Sequence, residues 1–431
     1  MREELTSREK RRRRRIRNQL LAYLVLAVFA VLVITGGYFG VKKVVGYLED
    51  YNQKVSDAMA EAESNPENEP ESDVFQEEPS EPYSEPEPVQ NEPDPLDELV
   101  EGYLQNMTLE QMVAGMFVVS PEAITGVKAA VQAGAGTEAA LQKYPVGGLI
   151  YSKKNYKSEE QFRTMLANTN TYAGYPLFLA VARECGGSTD FGIEATADAA
   201  TLTDVASVQE TYSVIADKLA GYGINMNLAP VAEVVSEDGD AALRARVFGS
   251  DAATVAPLVS AAVQAMQTAD VSAVLQKFPG TGAEAKSIEE LNNSEFIIYN
   301  AAIQSGVDCI MVSHVSAQGA TGADIPSSLS ATMITEVLRN TMGFQGVVIT
   351  DWLNDSAITG RYSSADAAIM AINAGADILL EPEDYQEAYE GVLQAVQDGT
   401  ITQERIQESL RRIYRLKYKY VLENASDIAV E

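Results

Sequence analysis

The chain has 431 residues, a formal net charge of −30 at pH 7 and a hydrophobic content of 46%. That length and apolar content allow one large folded domain with additional segments. The acidic excess argues against nucleic acid as a partner, because a phosphate-binding surface needs a basic field. The single histidine, His314, excludes metal sites built from several histidines. The two cysteines, Cys185 and Cys309, are too few for a disulfide framework, and their apolar surroundings favour free thiols.

A basic segment and an apolar segment follow each other at the start of the chain. Residues 1–19 contain the basic run from Lys10 to Arg17, and residues 20–41 carry no charge. The apolar segment is long enough to cross a hydrocarbon layer of about 30 Å as a helix. A cleaved signal peptide is the alternative, but its apolar part usually has only about 7–15 residues. The arginines before the segment predict a single-pass helix in the cell membrane, with a cytoplasmic N-terminus and everything after Val41 outside the cell.

Residues 42–95 have the composition of a linker. From Glu61 to Pro95 the sequence is rich in Glu, Pro, Ser and Asn and contains no Lys or Arg. Such a segment buries too little apolar surface to offset the entropy of ordering, and repeated Glu-Pro pairs keep it extended. We predict a disordered acidic spacer, with a specific acidic binding segment as the alternative.

The folded domain is expected at residues 96–422, followed by a short tail at residues 423–431. Short apolar runs that end on a polar group alternate there with amphipathic stretches. Eight such alternations favour a (β/α)8 barrel of the TIM type. A doubly wound open sheet is the alternative, but no Gly-x-Gly-x-x-Gly follows an early strand. The predicted strands are 112–120, 146–151, 177–182, 224–231, 272–278, 309–314, 347–351 and 378–381. The predicted helices are 158–171, 205–221, 254–268, 287–304, 332–341, 363–373, 385–398 and 402–421.

In a barrel of this kind the functional site lies where the strands end. Carboxylates that accept hydroxyl protons and cations that donate them suit the binding of polyols, although a solvated barrel rim has the same composition. The polar residues at or just beyond the predicted strand ends are Glu184, Glu233, Arg246, Lys277, His314, Asp351 and Glu381.

Seven segments in order along the domain form a recognisable set. They are Val146-Gly-Gly-Leu-Ile, Gly223-Ile-Asn-Met-Asn-Leu-Ala-Pro-Val231, Arg246-Val-Phe-Gly-Ser-Asp251, Lys277-Phe-Pro-Gly-Thr-Gly282, Ser328-Leu-Ser, Gly343-Phe-Gln-Gly-Val-Val-Ile-Thr-Asp351 and Ala374-Gly-Ala-Asp377. Together they resemble glycoside hydrolase family 3 and its β-N-acetylhexosaminidase branch. The resemblance covers residues 96–422 and implies an imperfect barrel.

The resemblance gives Asp351 a role. In the family, the acid that ends the Gly-Phe-x-Gly-Val-Val-Ile-Thr-Asp segment is the nucleophile. A retaining glycosidase needs such an ionised carboxylate to attack the anomeric carbon, and a second group to protonate the leaving oxygen. The structural alternative for Asp351 is a cap on the following turn and helix.

The second catalytic group is where this sequence departs from the family. The family's Lys-His-Phe-Pro-Gly-His-Gly-Asp segment, followed by Asp-Ser-His, supplies an Asp–His acid/base pair. Here Lys277 and Thr281 replace the two histidines of the first part, and the Asp-Ser-His part is absent before Ser287. Glu284 on the shortened loop, or another mobile acid such as Glu289, is the substitute that we consider.

A second departure follows the third strand. The family's Asp-Gln-Glu-Gly-Gly, whose Asp binds sugar hydroxyls, appears here as Ala182-Arg-Glu-Cys-Gly-Gly187. We therefore consider Glu184, after a local shift, together with Arg246, Lys277 and His314 as substrate-binding residues. A structural ion pair is the alternative for Arg246, and a hydrogen-bonded core histidine is the alternative for His314.

Two functions agree with these residues. The first is a membrane-anchored extracellular glycoside hydrolase that acts on N-acetylglucosamine-containing glycans of the cell-wall type. The second is a pseudoenzyme that binds a glycan or a protein partner without hydrolysing it. No metal or cofactor is expected, because no ligand spacing is present and this chemistry needs none. The sequence does not predict an oligomeric state.

Overall fold

The computed structural model describes residues 94–236 and 238–428, and the described residues up to Leu422 form one compact unit. The predicted membrane helix at residues 20–41, and the predicted linker as far as residue 93, lie outside the described residues. Within the described part of the chain, no helix is both long and apolar enough to span a membrane.

Eight parallel strands form the centre of the unit, and their order in the sheet follows the chain. The ring closes between the eighth strand and its two neighbours: Leu379 pairs with Phe117 of the first strand, and Ile378 bridges to Ile349 of the seventh. This confirms the predicted (β/α)8 barrel. The strands are β1 (Phe117–Val119), β2 (Gly148–Tyr151), β3 (Phe178–Val181), β4 (Met226–Asn227), β5 (Ser272–Phe278), β6 (Cys309–Val312), β7 (Val347–Thr350) and β8 (Leu379–Leu380).

Helices surround the strands and account for all eight predicted helical stretches. The helices before β5 are α1 (Pro95–Leu104), α2 (Leu109–Ala114), α3 (Pro121–Thr125), α4 (Ala135–Lys143), α5 (Glu159–Ala173), α6 (Val205–Tyr222), α7 (Ala241–Arg246) and α8 (Ala252–Thr268). Those after β5 are α9 (Ile288–Asn292), α10 (Glu295–Gln304), α11 (Gln318–Thr321), a π-helix (Thr332–Thr341), α12 (Ser356–Thr359), α13 (Ser364–Ala374), α14 (Tyr385–Gln397) and α15 (Gln403–Ile428).

Two predicted elements differ from the structure because of local capping. The first strand was expected from residue 112 but begins at Phe117, since Thr108 and Gln111 form a reciprocal capping box that starts α2. The helix expected at 287–304 is divided into α9 and α10. Ser294 separates the two because its hydroxyl donates to the carbonyl of Glu290 (2.6 Å).

The strand β7 is buried throughout and packed closely at its start. A β-carbon on Gly346 would lie 2.5 Å from the carbonyl oxygen of Asp308 and 2.6 Å from the Phe344 ring. Only glycine fits between these groups, so the entry to β7 is fixed by steric contact. The free thiol of Cys309 is buried on the adjacent strand β6, and Cys185 is also unpaired.

The amino-terminal end of the barrel carries a buried charged cluster centred on Asp377, just before β8. Its carboxylate is fully buried and pairs with Arg339 of the π-helix and with Arg412 of α15 (3.1 Å). The hydroxyl of Ser409 also donates to it (2.7 Å), as does the backbone N–H of Val348 (2.9 Å). The cluster therefore ties the last helix and the π-helix to the strands.

Another buried cation at this end, Lys417 of α15, has no carboxylate partner among the described residues. Its ammonium group donates to the Pro176 carbonyl (3.0 Å) and lies over the rings of Phe178 (5.0 Å) and Tyr414 (4.6 Å). Burial lowers the pKa of Lys417 to about 7, because the charged form loses its hydration.

Candidate active site at the carboxyl end of the barrel

Asp351 is the first residue after β7, and its position is fixed from both sides of the strand. Its backbone N–H donates to the Val312 carbonyl at the end of β6 (2.9 Å). Two residues later, the N–H of Leu353 donates to the Leu380 carbonyl of β8 (2.9 Å). The Asp351 side chain is buried, with 6% of the residue exposed. The barrel thus holds one carboxylate rigidly at its carboxyl end.

The Asp351 carboxylate is paired with one cation. Its Oδ2 lies 2.8 Å from Nζ of Lys277 on β5, and its Oδ1 accepts the N–H of Trp352 (3.0 Å). The same ammonium group lies 5.5 Å from the centre of the Trp352 indole ring. Lys277 therefore balances the charge of Asp351, and it fixes the carboxylate beside an aromatic side chain. Asp351 does not cap the next helix, since Asp355 takes that position.

His314 holds the backbone of the residue after Asp351. Its Nε2 lies 2.8 Å from the Trp352 carbonyl oxygen, and its Nδ1 lies 2.7 Å from the Ser328 hydroxyl. Because a carbonyl only accepts, Nε2 carries the proton and Nδ1 accepts from Ser328. Burial lowers the pKa of His314, which favours this neutral form, although the nearby Asp351 carboxylate opposes the shift. Both ring nitrogens are thus engaged within the protein, in agreement with a hydrogen-bonded histidine.

Arg246, at the end of α7, forms a two-point ion pair with Glu184. Its Nε and Nη2 atoms lie 2.7 and 2.6 Å from the two carboxylate oxygens. These hydrogen bonds are the main reason that the pKa of Arg246 is raised, and the carboxylates of Glu233 and Asp351 add to the effect. Glu184 is therefore engaged in an ion pair with Arg246, and the pair is close enough to Asp351 for a Coulomb interaction.

The shortened loop after β5 is held by Glu233, which follows β4 and is buried. The carboxylate of Glu233 accepts both the N–H (3.0 Å) and the hydroxyl (2.5 Å) of Thr281. Ser287 caps the next helix as expected. Between them Glu284 is exposed: its backbone carbonyl accepts the N–H of Gly319 (3.0 Å), while its side chain contacts no described partner. The structure therefore does not bring Glu284 into the Lys277–Asp351 group.

A cavity of about 310 Å³ opens next to this group, on the side of β1, β2, β3 and β8. Trp352, the residue after Asp351, lines the cavity, and so does Glu381 at the end of β8. Burial raises the pKa of Glu381, although its hydrogen bonds to Ser120 oppose the shift. The residues that line the cavity are Ser120, Ile150, Tyr151, Ser152, Lys153, Lys154, Ala182, Asp190, Phe191, Trp352 and Glu381.

The sequence placed Lys277, His314 and Asp351 at one end of the barrel, and the structure brings them together around Trp352. Trp352 was not among the predicted site residues. It is the only tryptophan of the chain and follows an acid at a strand end, which is the signal that could have indicated it. Within the described residues, no cluster of three or more His, Cys, Asp or Glu side chains is placed to hold a metal ion. The site offers a fixed carboxylate, a cation and an aromatic wall beside an open cavity.

Comparison with known proteins shows the family of this chain. The family described as "Glycosyl hydrolase family 3 N terminal domain" matches residues 108–416. A β-N-acetylglucosaminidase/β-glucosidase of Cellulomonas fimi is 27% identical over 311 residues, which is 66% of this chain and 54% of that enzyme. A β-hexosaminidase A of Pseudoalteromonas piscicida is 25% identical over 334 residues, which is 66% of this chain and 55% of that protein. The chain thus spans about half the length of these two relatives.

Solved structures agree with the sequence comparison. A family 3 β-N-acetylglucosaminidase from Paenibacillus sp. FPU-7 superposes with a TM-score of 0.68 at 28% identity, covering 74% of this chain and 63% of that one. A β-N-acetylhexosaminidase from Beutenbergia cavernae gives a TM-score of 0.64 at 25% identity, covering 72% of this chain and 99% of that one. The chain therefore belongs to glycoside hydrolase family 3 and is similar to its β-N-acetylhexosaminidase branch.

Proposed function

We propose that the protein is a retaining glycoside hydrolase that acts on N-acetylglucosamine-containing glycans, with Asp351 as the nucleophile. The observation that carries the proposal is the placement of Asp351. It is a buried carboxylate at the carboxyl end of a barrel strand in a chain of this family, and the next residue, Trp352, lines a cavity. The names of the two curated relatives supply the sugar class.

The proposed reaction has two steps. The Asp351 carboxylate attacks the anomeric carbon while a general acid gives its proton to the leaving oxygen, so that the glycosidic bond breaks and a glycosyl ester forms. Water then attacks the ester and gives its proton to the same group, which releases the sugar and free Asp351. Lys277 lies 2.8 Å from the carboxylate and balances its charge before attack.

Glu284 is our proposed acid/base, since the loop that carries it stands where the family places that group. Its side chain is exposed, so the loop must move over the bound sugar for the carboxyl group to reach the leaving oxygen. The backbone N–H of Gly319 donates to the Glu284 carbonyl, which connects this loop to the segment after β6.

The proposed location is the outer face of the cell membrane. The argument is the sequence alone: a basic run, an uncharged segment at 20–41 and an acidic spacer precede the barrel. Cell-wall-type glycans are accessible from that position.

A glycan-binding pseudoenzyme is the second candidate, and one observation favours it. The charges that catalysis needs are already paired within the protein: Asp351 with Lys277, and Arg246 with Glu184. A site of this kind binds neutral hydroxyl groups while the nucleophile remains occupied.

The deciding experiment uses the full-length chain and a chromogenic N-acetyl-β-glucosaminide, together with other aryl glycosides. We expect Asp351→Asn to lower turnover by roughly 10³–10⁶-fold, because no covalent intermediate forms without the carboxylate. Glu383→Gln, on an exposed residue after β8, is the matched control and should retain full activity.

Glu284→Gln tests the acid/base separately. We expect turnover to fall by about 10²–10⁴-fold. Added azide should restore part of the rate, because azide attacks the glycosyl ester without a general base.

Wild-type release of the chromophore no faster than that of Asp351→Asn would reject hydrolysis of these substrates. Saturable glycan binding that survives Asp351→Asn would then establish the pseudoenzyme.

A further inference from the structure

We propose that Glu381 is the hydroxyl-binding, specificity-determining carboxylate of this site. The inference rests on the proposed function only for the class of ligand, an uncharged pyranose. It concerns the cavity that Trp352 lines, and a residue to which neither the resemblance nor the relatives assign a role.

The backbone of Glu381 is fixed in a strained conformation. Its φ angle is +45°, which a residue with a side chain rarely adopts. Its N–H donates to the Val118 carbonyl of β1 (2.9 Å), and its own carbonyl accepts the N–H of Asn354 (3.0 Å). Strain that the surrounding structure imposes in this way is found at ligand sites more often than elsewhere. The two bonds aim the side chain into the cavity at the junction of β8 and β1.

The carboxylate of Glu381 is anchored by Ser120 and keeps acceptor positions for a ligand. Oε2 accepts the backbone N–H of Ser120, and the Ser120 side chain also hydrogen-bonds the carboxylate. An ionised carboxylate offers about four acceptor positions, so at least two remain for ligand hydroxyls.

The other charged residues of the cavity are already paired. Lys153 lies 3.6 Å from Asp190, and Lys154 lies 3.4 Å from Glu122 just behind the wall. This pairing leaves no unpaired cation to attract an anionic substrate. Asp190, the other lining carboxylate, is paired with Lys153 through Oδ1, whereas Glu381 forms no ion pair with a described residue. Hydroxyl groups are the ligand atoms that fit such an acceptor.

The remaining walls suit a sugar ring. Trp352 and the buried ring of Phe191 give the cavity two aromatic surfaces. Aromatic walls with a few convergent polar groups are typical of small-molecule sites. Ala182 lines the same space and is exposed to it, and its methyl group offers no acceptor. The hydroxyl-binding acceptor therefore lies on β8 rather than at the end of β3.

The experiment measures ligand binding by tryptophan fluorescence. Trp352 is the only tryptophan of the chain and lines this cavity, so its fluorescence reports on ligand binding there. The full-length protein is titrated with N-acetylglucosamine and with its 4-deoxy and 6-deoxy analogues. We expect Glu381→Ala to weaken N-acetylglucosamine about 10- to 100-fold, which corresponds to the loss of a hydrogen bond to a charged group. Glu381→Gln keeps the shape and should weaken binding less, and Glu383→Gln should bind as the wild type does.

A double-mutant cycle identifies the contact. The deoxy sugar that lacks the hydroxyl bound by Glu381 should bind the wild type weakly. Its affinity should not decrease further in Glu381→Ala. Equal N-acetylglucosamine affinity in the wild type and both Glu381 variants would overturn the inference, and so would a wild type without saturable binding. A chain that binds through Glu381 but hydrolyses nothing would refute the proposed hydrolase and support this inference.

Discussion

The two ends of the barrel each hold a buried aspartate, and the surroundings of the two differ. At the amino-terminal end, Asp377 is fully buried and accepts from two arginines, a serine hydroxyl and a backbone N–H. At the carboxyl end, the partners of Asp351 among the described residues are Lys277 and the N–H of the next residue, Trp352, which lines an open cavity. Both residues are buried aspartates, so the number of hydrogen-bond and ion-pair partners distinguishes them.

The difference shows how this fold separates stability from chemistry. A carboxylate whose acceptor positions are all used cannot bind or attack a ligand, but it fixes the elements that supply its partners. A carboxylate held by one mobile cation keeps capacity for a ligand, because a lysine side chain can turn toward water. Lys277 is partly exposed, with 29% of its side chain accessible, whereas the Arg339 side chain at Asp377 is 10% accessible.

The largest predicted effect comes from a substitution that breaks the Asp377 cluster at the amino-terminal end. We expect Asp377→Ala to lower the free energy of unfolding by about 3–5 kcal/mol, because it leaves buried arginines without a counter-charge. Urea unfolding, followed by Trp352 fluorescence and far-ultraviolet circular dichroism, measures the change.

Asp351→Ala is the matched control for that substitution. It removes the same group from a buried position, but the ammonium group of Lys277 can reach solvent, so we expect a loss below about 1 kcal/mol. Equal losses at the two ends would show that the partner number does not separate the roles of the two aspartates.

The second prediction concerns Lys417, the buried cation without a carboxylate partner. Its pKa is about 7 in the folded chain and about 10.4 in an unfolded one. Between these values the unfolded state binds the extra proton, so stability rises as pH increases, by roughly 1 kcal/mol per pH unit. Lys417→Met should remove that slope.

Denaturant unfolding of both proteins from pH 7 to 10 tests this prediction. The difference between the wild type and Lys417→Met isolates the lysine, because the titration of tyrosines is common to both. Parallel curves would contradict the buried, uncompensated state of Lys417.

Much of the fold could be predicted because β/α barrels have a strong periodic pattern. All eight strands lie within the predicted runs, since buried parallel strands are continuous stretches of apolar residues such as Val347 to Thr350. The predictions were wrong where short-range hydrogen bonds override hydrophobicity. The capping box of Thr108 and Gln111 makes residues from Leu109 to Ala114 helical although the segment is apolar.

The candidate site was harder to predict, because partners come from distant strands. The sequence indicates that Asp351 and Lys277 lie at strand ends, but it does not show that their side chains pair. It also indicates that Glu381 lies at a strand end. The strained backbone of Glu381 and its hydrogen bonding to Ser120 depend on the register of β8 against β1. These features require coordinates because they depend on pairwise distances.

The smallest predicted effect concerns His314, which connects the site to protein stability. Burial lowers the pKa of His314 below its ordinary value near 6.5, so below that pH the unfolded chain binds a proton that the folded chain excludes. The contribution of His314 to stability should therefore be constant above pH 7 and should decrease as pH falls from about 6.5, by less than 1.4 kcal/mol per unit for one proton. His314→Gln lacks the titrating group and should lose less stability than the wild type between pH 7 and 5. Acidification protonates Nδ1, which then donates to the Ser328 hydroxyl, and it places a positive charge beside the Trp352 carbonyl, so Trp352 fluorescence should change before global unfolding in the wild type alone. An identical pH response in both proteins would show that His314 remains neutral throughout this range or is protonated at no cost.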